Sequence, residues 1–226
     1  MAEAVQGETI ELTAADGHRL EAYLARPAGT PRAGLMVVQE IFGVNRHIRA
    51  VTEGFARDGY LAVAPALFDR RERGLALGYE AEDVARGREL KGAISWEAAA
   101  QDTAAAIAAV EQAGKVGVVG YCWGGSIAWL AACRLPVAAA VGYYGGQVRE
   151  LSGETPRCPV MLHFGEQDTA IPLEDVEAVR SRHPEVPIHL YPAGHGFNCD
   201  LRGSYHAESA ALARERTMAF LAEHLG

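Results

Sequence analysis

Residues 116–125 read Val-Gly-Val-Val-Gly-Tyr-Cys-Trp-Gly-Gly, an apolar run that passes into an alanine-rich helical stretch with no loop between them. A strand that turns straight into a helix brings two elements closer than side chains allow, so Gly120 and Gly124 stand where the backbones must meet. Cys122, the centre of Gly-x-Cys-x-Gly, is then pushed out at the turn in strained geometry, with sulfur where serine is commoner. The helix behind it, expected over 126–132, aims its first N–H groups at the thiol, which favours a thiolate and can hold an oxyanion. A plainer reading makes Cys122 a small buried apolar residue in a glycine turn.

The rest of the chain repeats the same unit. Short apolar runs at 35–39, 61–65, 115–120, 138–143, 160–164 and 187–191 alternate with helical stretches at 47–58, 81–90, 96–112, 126–134, 173–182 and 206–224. Segments 9–13 and 20–26 flank Asp16-Gly17 and add an N-terminal hairpin. Together these predict an α/β fold with a mostly parallel sheet of about eight strands and helices on both faces. With 226 residues, 49% of them hydrophobic, and no linker-like stretch, the expectation is one domain over 1–226. Only a short Gly-rich loop separates the 141–144 strand from Val160, too little for a lid domain, which predicts a shallow pocket and a small substrate.

A net charge of −8 argues against nucleic acid or an anionic membrane as partner, since both select a basic face. No apolar stretch reaches membrane length and no basic leader opens the chain, which predicts a cytoplasmic protein, monomeric or a small homo-oligomer. Four widely spaced cysteines, Cys122, Cys133, Cys158 and Cys199, read as free thiols. No CxxC or HExxH spacing appears, so neither a metal nor another cofactor is expected.

A cysteine nucleophile needs a base, and the base needs an acceptor that fixes its tautomer. Asp168 follows the 159–164 run in Gly165-Glu-Gln-Asp-Thr, and His195 follows the 188–191 run in Pro192-Ala-Gly-His-Gly-Phe. Both fall in loops at the carboxyl ends of strands, where parallel sheets place their chemistry. The order Cys122, Asp168, His195 is that of α/β-hydrolases. Glu166 and Asp175 are rival acids, the first readable as a solvated loop residue and the second as part of the following helix. Glu40 ends the 35–39 run at the same edge. It reads either as a solvated or capping carboxylate or as a group that holds or accepts the sulfur's proton. The N–H of Ile41 is placed to pair with that of Trp123 as an oxyanion hole.

With Gln39-Glu-Ile-Phe-Gly-Val-Asn45, Gly120-Tyr-Cys-Trp-Gly-Gly125, Val141-Gly-Tyr-Tyr-Gly145, Asp168 and Ala193-Gly-His-Gly-Phe197 in view, the chain resembles the dienelactone hydrolase family nearly end to end. The resemblance implies a minimal α/β-hydrolase fold, a Cys122-His195-Asp168 triad, and Glu40 controlling the resting protonation of Cys122. It further implies opening of an enol-lactone, 4-carboxymethylenebut-2-en-4-olide, to maleylacetate in chloroaromatic breakdown. The partner would be a small ester or lactone, carboxylated and gripped by two arginines. Arg202 is the arginine available after His195, and Arg86 or Arg88 on the earlier helix, with Arg88 and Lys91 standing where aromatic residues are expected.

Trp123 and Phe197 flank the two catalytic loops as candidate pocket walls, although a bulky Trp123 packed under the turn is an equal reading. The basic stretch Arg70, Arg71, Arg73, Arg86, Arg88 and Lys91 suits an anion, or simply a solvated face paired with Glu72, Glu80, Glu82 and Glu89. Two other functions remain open on these residues. One is a broader carboxylesterase or thioesterase; the other is a non-catalytic ligand-binding or thiol-sensing protein, which would need no complete triad.

Overall fold

In a computed structural model that describes Val5 and residues 7–226, the chain forms one eight-stranded sheet in the order β1-β2-β4-β3-β5-β6-β7-β8. The strands are β1 (Gly7–Thr13), β2 (Arg19–Ala25), β3 (Ala33–Val38), β4 (Tyr60–Pro65), β5 (Val116–Tyr121), β6 (Ala139–Tyr143), β7 (Val160–Gly165) and β8 (Ile188–Tyr191). Between them run α1 (Arg46–Arg57), α2 (Ala81–Gly92), α3 (Trp96–Val110), α4 (Trp123–Arg134), α5 (Val148–Leu151), α6 (Leu173–Arg182) and α7 (Ala207–Leu225). The β1-β2 hairpin turns on Gly17 at φ 84°, and β2 pairs antiparallel with both β1 and β4. From β4 to β8 every neighbouring pair is parallel.

The apolar runs become strands because helices cover both of their faces. Every residue of β3, β4, β5, β6 and β7 is buried. On one face α3 and α4 lie side by side, and the missing side chain of Gly34 lets the Val110 carbonyl of α3 approach β3. On the other, α7 packs its Leu221 and Leu225 against Gly117, and Arg214 of α7 lies over the Phe55 ring of α1. Local signals set the helix starts. The Asn45 side chain accepts from the Ile48 N–H at 3.2 Å, and the Ser95 hydroxyl from the Ala98 N–H at 3.2 Å.

The chain leaves β3 for β4 on one side and returns to β5 on the other. The loops after β3 and β5 therefore diverge, and the crevice between them is where open α/β sheets take ligands.

Three local expectations need correction. The helix after Cys122 begins at Trp123 rather than Ser126, because the turn is made at a single residue and both glycines after Trp123 are already helical. The 96–112 helix ends at Val110 and tightens into a 3-10 turn over Glu111–Ala113. The loop between β6 and β7 is not featureless: it carries the one-turn α5, whose Val148 and Leu151 are buried.

Candidate active site

Cys122 has φ 54° and ψ −116°, one of two non-glycine residues with positive φ among those described. Such a backbone costs on the order of 1–3 kcal/mol and persists only where its surroundings over-determine it. Here they do. The Cys122 N–H donates to the Tyr143 carbonyl at 3.0 Å, its carbonyl accepts from the Gly125 N–H at 2.9 Å, and the Gly124 N–H donates to the Gln39 carbonyl at 3.1 Å. A Cβ at Gly120 would stand 1.8 Å from the Gly124 oxygen, and one at Gly124 would stand 2.4 Å from the Val38 oxygen. The turn thus draws β3, β5, β6 and α4 together at the sulfur.

His195 and Asp168 reach the same point from the loops after β8 and β7. His195 Nε2 lies 3.2 Å from Cys122 Sγ, and Nδ1 donates to Asp168 Oδ2 at 2.7 Å. Asp168 is buried, and its other oxygen accepts from the Ala170 N–H at 2.8 Å, so both of its oxygens are occupied. Burial by itself would push the imidazole down, but the Cys122 sulfur and the Asp168 carboxylate outweigh it and raise His195 to about 10. The rival acids are elsewhere. Glu166 is exposed, and Asp175 faces Arg149 from α6 at 4.0 Å. Among the other histidines, His163 is spent inside the core between Tyr191 and Thr217, at 2.8 and 3.1 Å.

Glu40 follows β3 directly and is 1% exposed. Its Oε1 accepts from Arg202 Nη1 at 3.0 Å, while its Oε2 has no partner among the described residues. The Arg202 guanidinium also lies over the rings of Phe42, at 5.5 Å, and Tyr79, at 6.0 Å. Beside this pair is a cavity of about 260 Å³ bounded by Ile41, Cys122, Trp123, His195 and Arg202, with Arg88 and Lys91 of α2 on its wall. The structure therefore brings Cys122, His195, Asp168 and Glu40 to one edge and sets Ile41, Trp123, Arg88 and Arg202 around it.

Trp123 serves both readings given above, lining the cavity while stacking on Phe68 at 5.6 Å beneath the turn. Two expected pocket residues stand off the wall. Arg86 points away from the cavity to Glu72 and Glu89, at 2.5 and 2.7 Å. Phe197 is fully buried against Tyr144 and Tyr191, at 5.4 and 5.1 Å, and props the His195 loop from behind.

Lys91, part of the basic stretch read from the sequence, faces the cavity in line with Val84 and Arg88 at i, i+4, i+7. One residue escaped the sequence reading. Tyr144 sits at φ 38° with its ring 5.1 Å from that of His195, and burial pushes its hydroxyl well above the usual range. Nothing in the run Val141-Gly-Tyr-Tyr marks that residue as strained. As a set of potential metal donors, His47, Cys199 and Asp200 bring one atom each within 4.8 Å of one another, but His47 Nδ1 already holds Asp200 at 3.1 Å.

The dienelactone hydrolase family model matches residues 20–225. The carboxymethylenebutenolidases of Pseudomonas putida and Pseudomonas knackmussii are each 37% identical to this chain over 229 residues, covering 95% of it and 96% of theirs. A crystal structure of a Klebsiella pneumoniae protein, provisionally named a dienelactone hydrolase, superposes with a TM-score of 0.83 at 31% identity. It covers 95% of this chain and 99% of that one.

Proposed function

The chain belongs to the dienelactone hydrolase family and is a hydrolase of ester or lactone bonds, and within that class we propose that it opens a carboxylated enol-lactone through a thioester on Cys122. The observation that carries this is the continuous line from Asp168 through His195 to Cys122, at 2.7 and 3.2 Å.

His195 Nε2, 3.2 Å from Cys122 Sγ, takes the thiol proton as the sulfur attacks the lactone carbonyl carbon. The carbonyl oxygen becomes an oxyanion facing the N–H groups of Ile41 and Trp123, both on the cavity wall. When the ring C–O bond breaks, the leaving enolate oxygen takes the proton from His195 Nε2. His195, now neutral and still oriented by Asp168, removes a proton from water; the hydroxide attacks the thioester, and sulfur departs as the thiolate. Each oxyanion donor in such a site is worth about 3 kcal/mol.

Glu40 and Arg202 set the resting state in this reading. A substrate carboxylate that takes the Arg202 guanidinium competes with Glu40 for it, and a released Glu40 carboxylate can hold the Cys122 proton until His195 takes it. Four free cysteines suit a reducing, cytoplasmic setting, and no helix among the described residues is long and apolar enough to cross a membrane.

A broader esterase is the second reading, favoured by Phe42, Val84 and Ile171 on the cavity wall, which suit a neutral aryl or alkyl group. The test is to follow loss of the conjugated absorbance of 4-carboxymethylenebut-2-en-4-olide with the wild type and Cys122→Ala side by side. Turnover by the wild type alone supports the proposal. Cleavage of p-nitrophenyl acetate without lactone turnover supports the second reading, and full turnover by Cys122→Ala would sink the nucleophile assignment.

A further inference from the structure

Away from the catalytic edge, the start of α1 meets the loop beyond His195. His47 of α1 is buried, and its Nδ1 lies 3.1 Å from Asp200 Oδ1, across 153 residues of chain. That contact uses one ring nitrogen only. The other, Nε2, is buried with no hydrogen-bond partner among the described residues. A neutral imidazole that donates from Nδ1 carries its lone pair on Nε2, so His47 keeps a buried electron pair that nothing nearby employs. Leaving such an atom unpaired inside a protein is costly, which marks the corner as unfinished by its own side chains.

Cys199 completes the corner. It is fully buried, and one donor atom from each of His47, Cys199 and Asp200 lies within 4.8 Å of the other two. A tetrahedral zinc-type ion holds imidazole, thiolate and carboxylate ligand atoms about 3.3–3.6 Å apart. Asp200 can close the remaining gap, since its side chain is 65% exposed while the other two are fixed by packing. The sulfur also has outer support. Asn45 Nδ2 donates to the Tyr79 hydroxyl oxygen at 3.1 Å, which leaves the hydroxyl hydrogen for Cys199, its hydrogen-bond partner. A cavity of about 350 Å³ lined by His47, Asn198 and Asp200 gives an ion its way in, and Arg214 on the same wall is already paired with Asp58.

We propose that His47, Cys199 and Asp200 bind a divalent zinc-type cation, which fastens the 196–202 segment to α1. Imidazole and thiolate select a borderline ion such as Zn²⁺ or Co²⁺ over the oxygen-seeking Mg²⁺ and Ca²⁺. On binding, the Cys199 S–H bond breaks, the sulfur donates the electron pair to the metal, and the proton passes to solvent. Three protein ligands leave the fourth position to water on the cavity side. The clip bears on the catalytic edge through the backbone. The Cys199 N–H donates to the Gly196 carbonyl at 3.0 Å and the Arg202 N–H to the Cys199 carbonyl at 3.1 Å. Pinning Cys199 therefore pins both the turn that carries Phe197 and the arginine that holds Glu40. No short motif marks these donors, because His47 joins the other two only through the fold.

The test uses the full chain with Cys122→Ser, stripped of metal by a chelator, so that the Cys122–His195 pair cannot hold the probe. Co²⁺ should bind with one equivalent and bring up the near-ultraviolet band of a thiolate-cobalt bond, and Zn²⁺ should displace it. Adding Cys199→Ser should abolish the band, and Cys133 and Cys158, present in both proteins, cannot cause the difference. Adding Asp200→Asn instead, at an exposed position that leaves the core intact, should weaken Co²⁺ binding at least about tenfold. Zn²⁺ should raise the melting temperature of the Cys122→Ser protein and slow amide hydrogen exchange over residues 196–202, and do neither once Cys199→Ser is added. No thiolate-cobalt band in Cys122→Ser, or binding unchanged by either further substitution, would overturn the site. Binding without slower exchange over 196–202 would overturn the fastening. None of these readouts involves turnover, so the hydrolase reading stands or falls separately.

Discussion

Arg202 Nη1 lies 3.0 Å from Glu40 Oε1, joining the loop after β3 to the loop beyond His195 across 162 residues of chain. Glu40 is 1% exposed, and among the described residues Arg202 is the one side chain that pairs with its carboxylate.

Arg202→Gln should therefore cost stability as well as activity. Removing one member of a buried pair leaves an uncompensated charge and costs about 3 kcal/mol or more. The urea midpoint of Arg202→Gln should fall clearly, and the Arg202→Gln/Glu40→Gln double variant should recover part of the loss. A midpoint unchanged in the single variant would show that the pair carries no weight.

The pH profile follows from His195. Its protonated form is favoured in the folded state up to about 10, against an ordinary value near 6.5. The corresponding stability is fully present below pH 6.5 and is lost as pH rises through about 10. The imidazolium of His195 persists over the same window, so kcat/KM should show no basic limb near 6.5 and should fall only near the upper value. Asp168→Asn removes one of the groups that raise His195 and should draw the limb downward. A wild-type basic limb at 6.5 would contradict the ion-pair picture.

Gly87 on α2 offers a test of how tightly the cavity wall is set. A Cβ there would stand 1.9 Å from the Ile41 carbonyl oxygen, which is backbone and cannot swing aside. Helix propensity alone would make Gly87→Ala stabilising by about 1 kcal/mol. The clash should win, lowering the melting temperature and displacing Ile41 enough to cut kcat by about tenfold or more. A stabilised, fully active Gly87→Ala would mean that α2 moves freely over the loop.

Asp102 sits fully buried in α3 and takes Arg70 in a two-pronged grip, Nε to Oδ2 at 2.7 Å and Nη2 to Oδ1 at 2.8 Å. Asp102→Ala should destabilise by about 3 kcal/mol, since Arg70 loses its main partner and retains only Asp16 at 2.7 Å. Asp102→Asn, which keeps an acceptor, should cost less. Chemical denaturation of the two variants separates these outcomes.

How much of this was readable beforehand depends on the range of the forces involved. The parallel sheet announced itself because burial on both faces demands continuous apolar runs, as in Leu35–Val38 and Val116–Val119. The loops of Asp168 and His195 were legible for the same reason: each follows such a run at its carboxyl end. The helix start at Trp123 was hidden because Gly124 and Gly125 read as a loop, yet here they are packed helix residues held by contacts with Gln39 and Tyr143. The Glu40–Arg202 pair and the cavity-facing side of Lys91 depend on where α2 and the 196–202 loop settle. The Glu40–Arg202 pair has no local sequence signature, whereas the i, i+4, i+7 spacing on α2 sets Arg88 and Lys91 apart from Arg86.

The central claim is that Cys122 carries the acyl group. Rapid mixing with p-nitrophenyl acetate, acid quench within the first turnover and intact-protein mass measurement address it directly, with peptide mapping to locate the adduct. The account predicts one added acetyl group on Cys122, longer-lived in His195→Ala at any level at which it forms, and absent in Cys122→Ala. Full hydrolysis by Cys122→Ala, or an acyl group found on another residue in the wild type, would contradict it.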